Sequence, residues 1–425
     1  MKKFWDTLVT IFKTEDVRKK IVFSLVIMIV FRLLASIPVV GIPVDAIVQL
    51  FSGNEFGDLL STVSGGVLET ASLVAIGLGP YINASIVLQL LTSVIPKLEE
   101  LRQEGAEGRR KISMYTRLLT VPLAILQSFV IFSTLRGFGL VGELTTLQTV
   151  VMSASLTAGS LIMMWFGELI SESGIGGGSS YLIALGIIAG IPGTISSNFR
   201  LMDNLQKTVF IVMTVILIVA TVLITQAERR VKVQHSRRVR QGAASLSQNY
   251  IPIKLTQSGV MPVIFATTVL SFPQLIAQFL ISKDYSDKVT NIATKVIEVL
   301  SNQYVSNIGL FVLIILISFL YLSIVFNTEE FAENLQKQGA FIPGIRPGKA
   351  TDEYLRKTSL RLTAVGSTFL ALISILPRIL ISLGFMSTTV ISGTGMLIVV
   401  GTMVDIKREI ESMMVVRSYD AKKFW

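Results

Sequence analysis

Cysteine is absent from this 425-residue chain, histidine occurs once, and only 16% of the residues are charged. The first absence excludes disulfides and thiolate metal sites. The single histidine, His235, sits among Arg229, Arg230, Arg237, Arg238 and Arg240, as a solvated loop histidine would. The glycine run Gly174-Ile175-Gly176-Gly177-Gly178 lacks the Lys-Ser/Thr pair of a phosphate loop. The Gly348-Lys349 pair is followed by Ala350 and lacks the upstream glycine spacing. No carboxylate pair falls in the middle of an apolar run. These absences argue against an enzyme, and no cofactor or metal is expected.

What is present is apolar sequence. A soluble domain carries about 25% charged residues; here 51% are hydrophobic and the mean hydropathy is +0.66. A bilayer-crossing helix needs roughly 20 mostly apolar residues. Ten runs meet that description: 21–37, 71–95, 118–135, 148–167, 179–195, 208–227, 256–281, 305–327, 362–377 and 379–404, with Arg378 dividing the last two. Backbone groups in lipid must be paired within their own segment, so these spans are helices, not open strands. The reading is an all-α polytopic membrane protein. Residues 1–20 are basic and amphipathic with no small-residue cleavage site after the first run, which predicts a retained helix.

Charge placement sets the expected orientation. Of 38 Lys and Arg, 30 fall in the N-tail, the 96–117, 228–254 and 328–361 loops and the C-tail. The first alternate loop, 38–70, holds Asp45, Glu55, Asp58 and Glu69 with no Lys or Arg. The positive-inside rule then puts both termini in the cytoplasm with an even number of spans. Nucleic acid is not needed to explain this charge. A ribosome or other acidic surface could dock on the longest basic loops.

Two apolar segments share a broken pattern. Pro80-Tyr81-Ile82-Asn83-Ala84-Ser85-Ile86-Val87-Leu88 and Pro262-Val263-Ile264-Phe265-Ala266-Thr267-Thr268-Val269-Leu270 carry proline, isoleucine, alanine, a hydroxyl residue, valine and leucine at equal offsets, each after a glycine region. A weaker match links Tyr181-Leu182-Ile183-Ala184-Leu185-Gly186 to Met396-Leu397-Ile398-Val399-Val400-Gly401. Gly/Pro-interrupted spans in matching places of two halves point to a transport path. Five spans precede residue 200 and five follow. Parity with cytoplasmic termini therefore requires the halves, 1–200 and 201–425, to be inverted.

The second, fifth, seventh and tenth spans hold no ionisable residue in their middles. Their distinctive interior residues are Ile82, Ile86, Ile183, Ile187, Ile264 and Ile398. Ile82 and Ile86 are one turn apart on one helix face, as are Ile183 and Ile187. Each taken singly reads as lipid-facing or packing isoleucine. Together, in the repeated segments, they read as a hydrophobic constriction that blocks ions by excluding water. The half-polar segment 57–67 is too short to span. It fits a surface loop or, with glycines at both ends to reverse the chain, a short re-entrant helix. The segment Gly339–Gly348 is turned by glycines and stiffened by prolines. It projects one arginine with Phe341, Ile342 and Ile345, a composition that predicts partner docking.

Gly79-Pro80-Tyr81-Ile82-Asn83-Ala84-Ser85-Ile86, the turn at 174–178, Gly259-Val260-Met261-Pro262 and Pro343-Gly344-Ile345-Arg346-Pro347-Gly348 together resemble the SecY/Sec61 alpha family of translocase channel subunits. The resemblance runs in order over nearly the whole chain. It implies ten transmembrane helices in two inverted five-helix halves around a central hourglass pore, with the six isoleucines as its waist. It makes 57–67 a plug, through Leu59, Leu60, Val63, Ser64, Gly65, Gly66 and Val67. It implies a lateral gate between the second and third spans and the seventh and eighth, with polar positions Thr92, Gln127 and Thr256. It implies the subunits SecE and SecG. The arms at 228–256 and 328–361 would engage the ATPase SecA or a ribosome, with Arg229, Arg230, Arg237, Arg238, Arg240 and Arg346 as candidates. The substrate would be a signal-bearing unfolded polypeptide, passed across the bacterial cytoplasmic membrane or released sideways among membrane lipids. Two positions depart from the family pattern: Gly177 and Thr256 stand where asparagine is common. The rival classes are a secondary transporter of a small solute on an inverted repeat, which needs an ionisable coupling group near mid-membrane, and a purely structural scaffold.

Overall fold

The computed structural model describes residues 14–39, 72–137, 145–235, 250–257, 259–282, 287–385 and 392–422. Helix α1 (Glu15–Ala35) buries Ser24, Ile27, Phe31 and Ala35 at helical spacing and leaves Val22, Val26, Ile29 and Leu33 exposed. Residues 72–78 form turns that lead into α2 (Gly79–Val94), where Pro80 occupies the first turn. That position needs no intrahelical donor, so proline is tolerated there. At the other end, Pro96 forces Ile95 into extended backbone, φ −95° and ψ 112°, as a residue before proline prefers. The short α3 (Pro96–Gln103) therefore leaves α2 at 98°. Three long helices follow: α4 (Ala106–Gly137), α5 (Thr146–Ser173) and α6 (Gly178–Leu201). A capping box starts α5: Gln148 N–H donates to Thr145 Oγ1 and Thr145 N–H to Gln148 Oε1, satisfying two end donors reciprocally.

The second part begins with α7 (Asn204–Gln226), then strands β1 (Glu228–Lys232), β2 (Gln234–His235) and β3 (Tyr250–Lys254). Helices α8 (Met261–Ser282), α9 (Asp287–Ser301), α10 (Gln303–Val325) and α11 (Thr328–Lys337) lead to β4 (Ala340–Phe341), α12 (Lys349–Ser382) and α13 (Gly393–Lys422). Strand β1 pairs antiparallel with β3, and β2 with β4. The second pairing joins the two basic loops into one body. Its small core is Val231, Val233, Ile253, Ala340, Ile342 and Leu355, with Ile345 packed against it. This corrects the expectation for 339–348. Ile342 and Ile345 are internal packing of that body, not groups offered to a partner, and Phe341 is half-buried in the β2–β4 pair. Arg346 alone of that set is exposed.

Among the described residues, six helices are long and apolar enough to cross a membrane, or seven if the bent α2–α3 pair is one span. The apolar part of α6, Gly178–Gly193, is shorter, and α1 carries Arg18, Lys19, Lys20 and Arg32. The spans expected at 362–377 and 379–404 need correcting. Helix α12 runs unbroken past Arg378 to Ser382, and just beyond its end Gly384 takes a left-handed φ of +78°. Arg378 is buried in protein and its carbonyl accepts from Gln303 Nε2 at 3.2 Å. A charge held inside protein ends an apolar run without ending the helix. The helices differ in what surrounds them. Only 22% of the apolar window of α7 is buried, against 50% for α4 and α12. On α10, exposed Ile308, Val312, Leu316 and Leu320 recur every four residues along one face. These two helices present apolar surface outward.

Close backbone contacts position the inner helices. Gly159 of α5 meets residues 72–78 so closely that a Cβ there would lie 1.9 Å from the Leu73 carbonyl oxygen. Its neighbour Ser160 donates to the Gly77 carbonyl at 3.0 Å. The start of α6 is seated the same way, since a Cβ on Gly178 would lie 1.9 Å from the Gly167 carbonyl oxygen. Gly177, one residue earlier, has nothing within 4 Å of a built Cβ and caps α6 at φ −72° and ψ 103°. Asparagine fits that conformation, and replacing an asparagine cap by glycine costs only a few tenths of a kcal/mol. The departure at 177 is thus a cheap one. Gly178→Ala is expected to lower stability by about 1–3 kcal/mol through overpacking, whereas Gly177→Asn should hold or slightly raise it. Thermal unfolding midpoints of the two purified variants check this; equal shifts would contradict it.

Candidate functional site

The six isoleucines come together. Ile82 and Ile86 of α2, Ile183 of α6, Ile264 of α8 and Ile398 of α13 belong to one buried cluster, none more than 6% exposed. Ile187 is half-buried and packs against it. A Cβ on Gly395, one turn before Ile398 on α13, would lie 3.6 Å from Ile187 Cγ2, so Ile187 faces that helix. Four helices, two from each part of the chain, thus meet through aliphatic side chains. The same cluster takes in Ile27 and Phe31 of α1, Met163 and Phe166 of α5, and Phe265; none of its members carries a charge, and Tyr81, Tyr181 and Tyr321 pack against it as Ile187 does. Such a junction offers no hydrogen bonds to water and no charge to an ion.

Beside the cluster runs a seam between α2 and α4 on one side and α8, backed by α10, on the other. A cavity of about 500 Å³ opens along it, lined by Asn83, Pro122, Gln127, Phe129, Phe272 and Phe279 among others. Phe129 and Phe279 close one end edge-to-face, with ring centroids 5.9 Å apart. Such aromatic pairs contribute about 0.5–1.5 kcal/mol beyond area burial. Within the α8 side of the seam, Phe265 meets Tyr321 of α10 at 5.8 Å. Of the three polar positions expected at a gate, Gln127 lines this cavity. Thr92 lies buried in the last turn of α2, its hydroxyl donating to the Gln89 carbonyl at 2.7 Å. Thr256 is elsewhere: its methyl packs on α12, 3.2 Å from where a Cβ on Gly366 would be. Asn83 was missed. It is 7% exposed and its Oδ1 has no hydrogen-bond partner. The signal available for it was one amide inside an uncharged span, at the offset where the second repeat has Phe265.

At the opposite end of the bundle from Phe129 and Phe279 lie the basic loops. Arg229 and Arg230 stand exposed on β1. Arg230 Nε donates to Glu228 Oε1 at 2.8 Å and its guanidinium lies 4.8 Å from the Tyr250 ring centroid. The hydrogen bond to Glu228 holds its pKa above the usual arginine value. Arg346 is exposed in a turn whose shape is held by Thr351 Oγ1 donating to the Arg346 carbonyl at 2.9 Å, with Gly344 at φ +83° and Gly348 at φ +93° on either side. Among the described residues no carboxylate pairs with the Arg346 side chain. Arg237, Arg238 and Arg240 lie outside the described residues, as do the plug candidates Leu59, Leu60, Val63, Ser64, Gly65, Gly66 and Val67. Among the described residues there is no group of three or more metal-ligating side chains.

Comparison with known proteins gives this geometry a family. The SecY family model matches residues 72–407. The protein translocase subunit SecY of Streptomyces coelicolor is 40% identical, over 96% of this chain and 97% of its own length. That of Mycobacterium tuberculosis is 37% identical over the same shares. Among solved structures, one described as a protein conducting channel aligns with a TM-score of 0.66 and 19% identity, covering 94% of this chain and 93% of that one. Sec61 in the canine ribosome-channel complex from the endoplasmic reticulum aligns at 0.63 and 18%, covering 94% and 93%. The chain belongs to the SecY family and is a multi-pass protein translocase subunit of the membrane.

Proposed function

We propose that the chain conducts unfolded polypeptide through the isoleucine junction and releases hydrophobic segments sideways along the seam. In this reading the chain folds as ten transmembrane helices in two inverted halves, 1–200 and 201–425, around an hourglass pore, with 57–67 as the plug. The observation that carries it is the convergence of six aliphatic side chains from four helices of both halves, five in one buried cluster and Ile187 packed against it, with no Asp, Glu, Lys, Arg or His among the residues of that cluster or packed on it. An aliphatic ring suits cargo of any sequence. It presents no charge to trap a passing lysine or aspartate, and its side chains repack around varied shapes.

Sideways release follows from transfer energetics. Twenty Leu, Ile, Val or Phe residues at ~0.3–0.6 kcal/mol each gain roughly 6–12 kcal/mol on entering lipid, and one central lysine or aspartate reverses about 2.5–3.5 kcal/mol of that. The channel then has only to expose the segment to lipid. No residue here can hydrolyse a nucleotide, so the work comes from a partner or from the membrane potential. The body formed by β1–β4 with α11 and the start of α12 is the docking surface for SecA or a ribosome, through Arg229, Arg230 and Arg346 with Arg237, Arg238 and Arg240. The solved canine relative is itself part of a ribosome-channel complex. SecE and SecG complete the complex. With the basic loops inside, both termini face the cytoplasm of a bacterial cell.

Reconstitution with a signal-bearing precursor, SecA and ATP tests the reading against its rivals. Precursor protected from protease inside the vesicle supports it, and saturable uptake of a small solute alone would replace it with a carrier. Ile398→Asn is expected to wet the junction, raising ion leak and the export of proteins with defective signals. Leak and selectivity unchanged from the parent would remove the ring assignment. Arg346→Glu should cut ATPase-driven export about tenfold, the loss of one charge-assisted contact of ~1.4 kcal/mol, while assembly with SecE is unaltered. Normal export rates would take Arg346 out of the docking surface.

A further inference from the structure

Arg102, in the last turn of α3, makes a contact that nothing above uses. Its Nη2 donates to the carbonyl oxygen of Ile324, in the last turn of α10. The carbonyl groups in the final turn of a helix have no intrahelical donor and form the negative end of its dipole. The Leu322 carbonyl is met by Phe326 N–H at 3.0 Å. For the rest, α10 has no basic residue of its own in its last turn. Arg102 supplies, from the other half of the chain, the cation that the α10 sequence lacks. The reach depends on the Pro96 bend: the 98° turn swings α3 off the axis of α2 and across the seam.

The same device occurs once more, and the difference is informative. Helix α7 also lacks a basic residue in its last turn, and Arg408 of α13 donates to the Thr225 carbonyl at 2.7 Å. That contact stays within the second half of the chain. Only the Arg102 contact of this pair crosses between α2–α4 and α8–α10. At the far end the seam is closed by Phe129 and Phe279. At the basic end, the corresponding closure is an arginine on a helix terminus. We infer that Arg102 is a positioning residue that clasps α3 to the end of α10 and holds the seam shut at its basic end until the helices part. The inference rests on the seam being the sideways exit. An exposed charge–dipole contact of this kind is screened by salt, so the clasp should loosen at high ionic strength.

The absence of native cysteine makes the test direct. Glu99→Cys on α3 and Ser323→Cys on α10, both exposed, carry spin labels in the full complex in bilayers, and pulsed dipolar spectroscopy reads the distance between them. The parent and Arg102→Lys should give one short population. Arg102→Gln should populate a longer distance, and Arg102→Glu, repelled by the helix end, more so, by about five- to tenfold over the parent. Arg408→Gln, the same chemistry within one half, should leave the distance unchanged. A short population retained in Arg102→Glu overturns the inference. So does equal lengthening in Arg408→Gln, which would mark general loosening. Crosslinking of a hydrophobic segment to lipid, measured alongside, separates the two readings. A lengthened distance without more lipid crosslinks sustains the clasp and removes the exit assignment instead.

Discussion

Contact between uncharged aliphatic side chains from opposite halves of the chain is the constraint on which the rest depends. Buried apolar surface is non-directional in its energetics, so in the proposed channel a ring of isoleucines would close on itself and on a passing chain with the same chemistry. A polar ring could do neither without leaving donors or acceptors unpaired. The isoleucine junction is also held in place by rigid supports. Gly159 and Gly178 allow backbone approach that no side chain would permit. These approaches seat the turn before α2 and the start of α6, the two helices that carry four of the six isoleucines.

Around that centre the molecule divides into surfaces with different solvents. Helices α7 and α10 turn apolar side chains outward, as a bilayer requires. The strand pairs at the basic end bury their own small core, as a body in water does. Because β2 pairs with β4, the 228–256 and 328–361 segments are one unit, and a load on either is shared. The seam lies between, polar in part through Asn83 and Gln127, and fastened at its two ends by unlike contacts. Aromatic edges hold one end. The other is held by a charge on a helix terminus, the weaker and more solvent-sensitive of the two.

Much of this was legible in the sequence. Repetition singled out Ile82, Ile183, Ile264 and Ile398, and one-turn spacing added Ile86 and Ile187; these six side chains do come together in the fold. Most spans emerged from length and hydropathy. What failed did so for physical reasons. Arg378 looked like a boundary because a charge in lipid is costly, but the charge is inside protein. Phe341, Ile342 and Ile345 looked like docking groups because a water-exposed loop has no use for them, and the loop proved to have a core of its own. The amphipathic α9, which buries Ala293 and whose Leu300 carbonyl accepts from Gln274 on α8, was too polar to register as a span. The Arg102 contact ends on a main-chain carbonyl, which no side-chain pattern can announce.

The most direct measurement of the central claim is site-specific photocrosslinking to a precursor arrested in transit. A photoreactive side chain at Ile183 or Ile264 should crosslink to successive residues of the arrested polypeptide, polar and apolar alike. The same group at Val219 on α7, exposed on the outer surface, should react with lipid only. Crosslinks at Val219 with none at Ile183 or Ile264 would contradict the claim that the chain passes through the aliphatic ring.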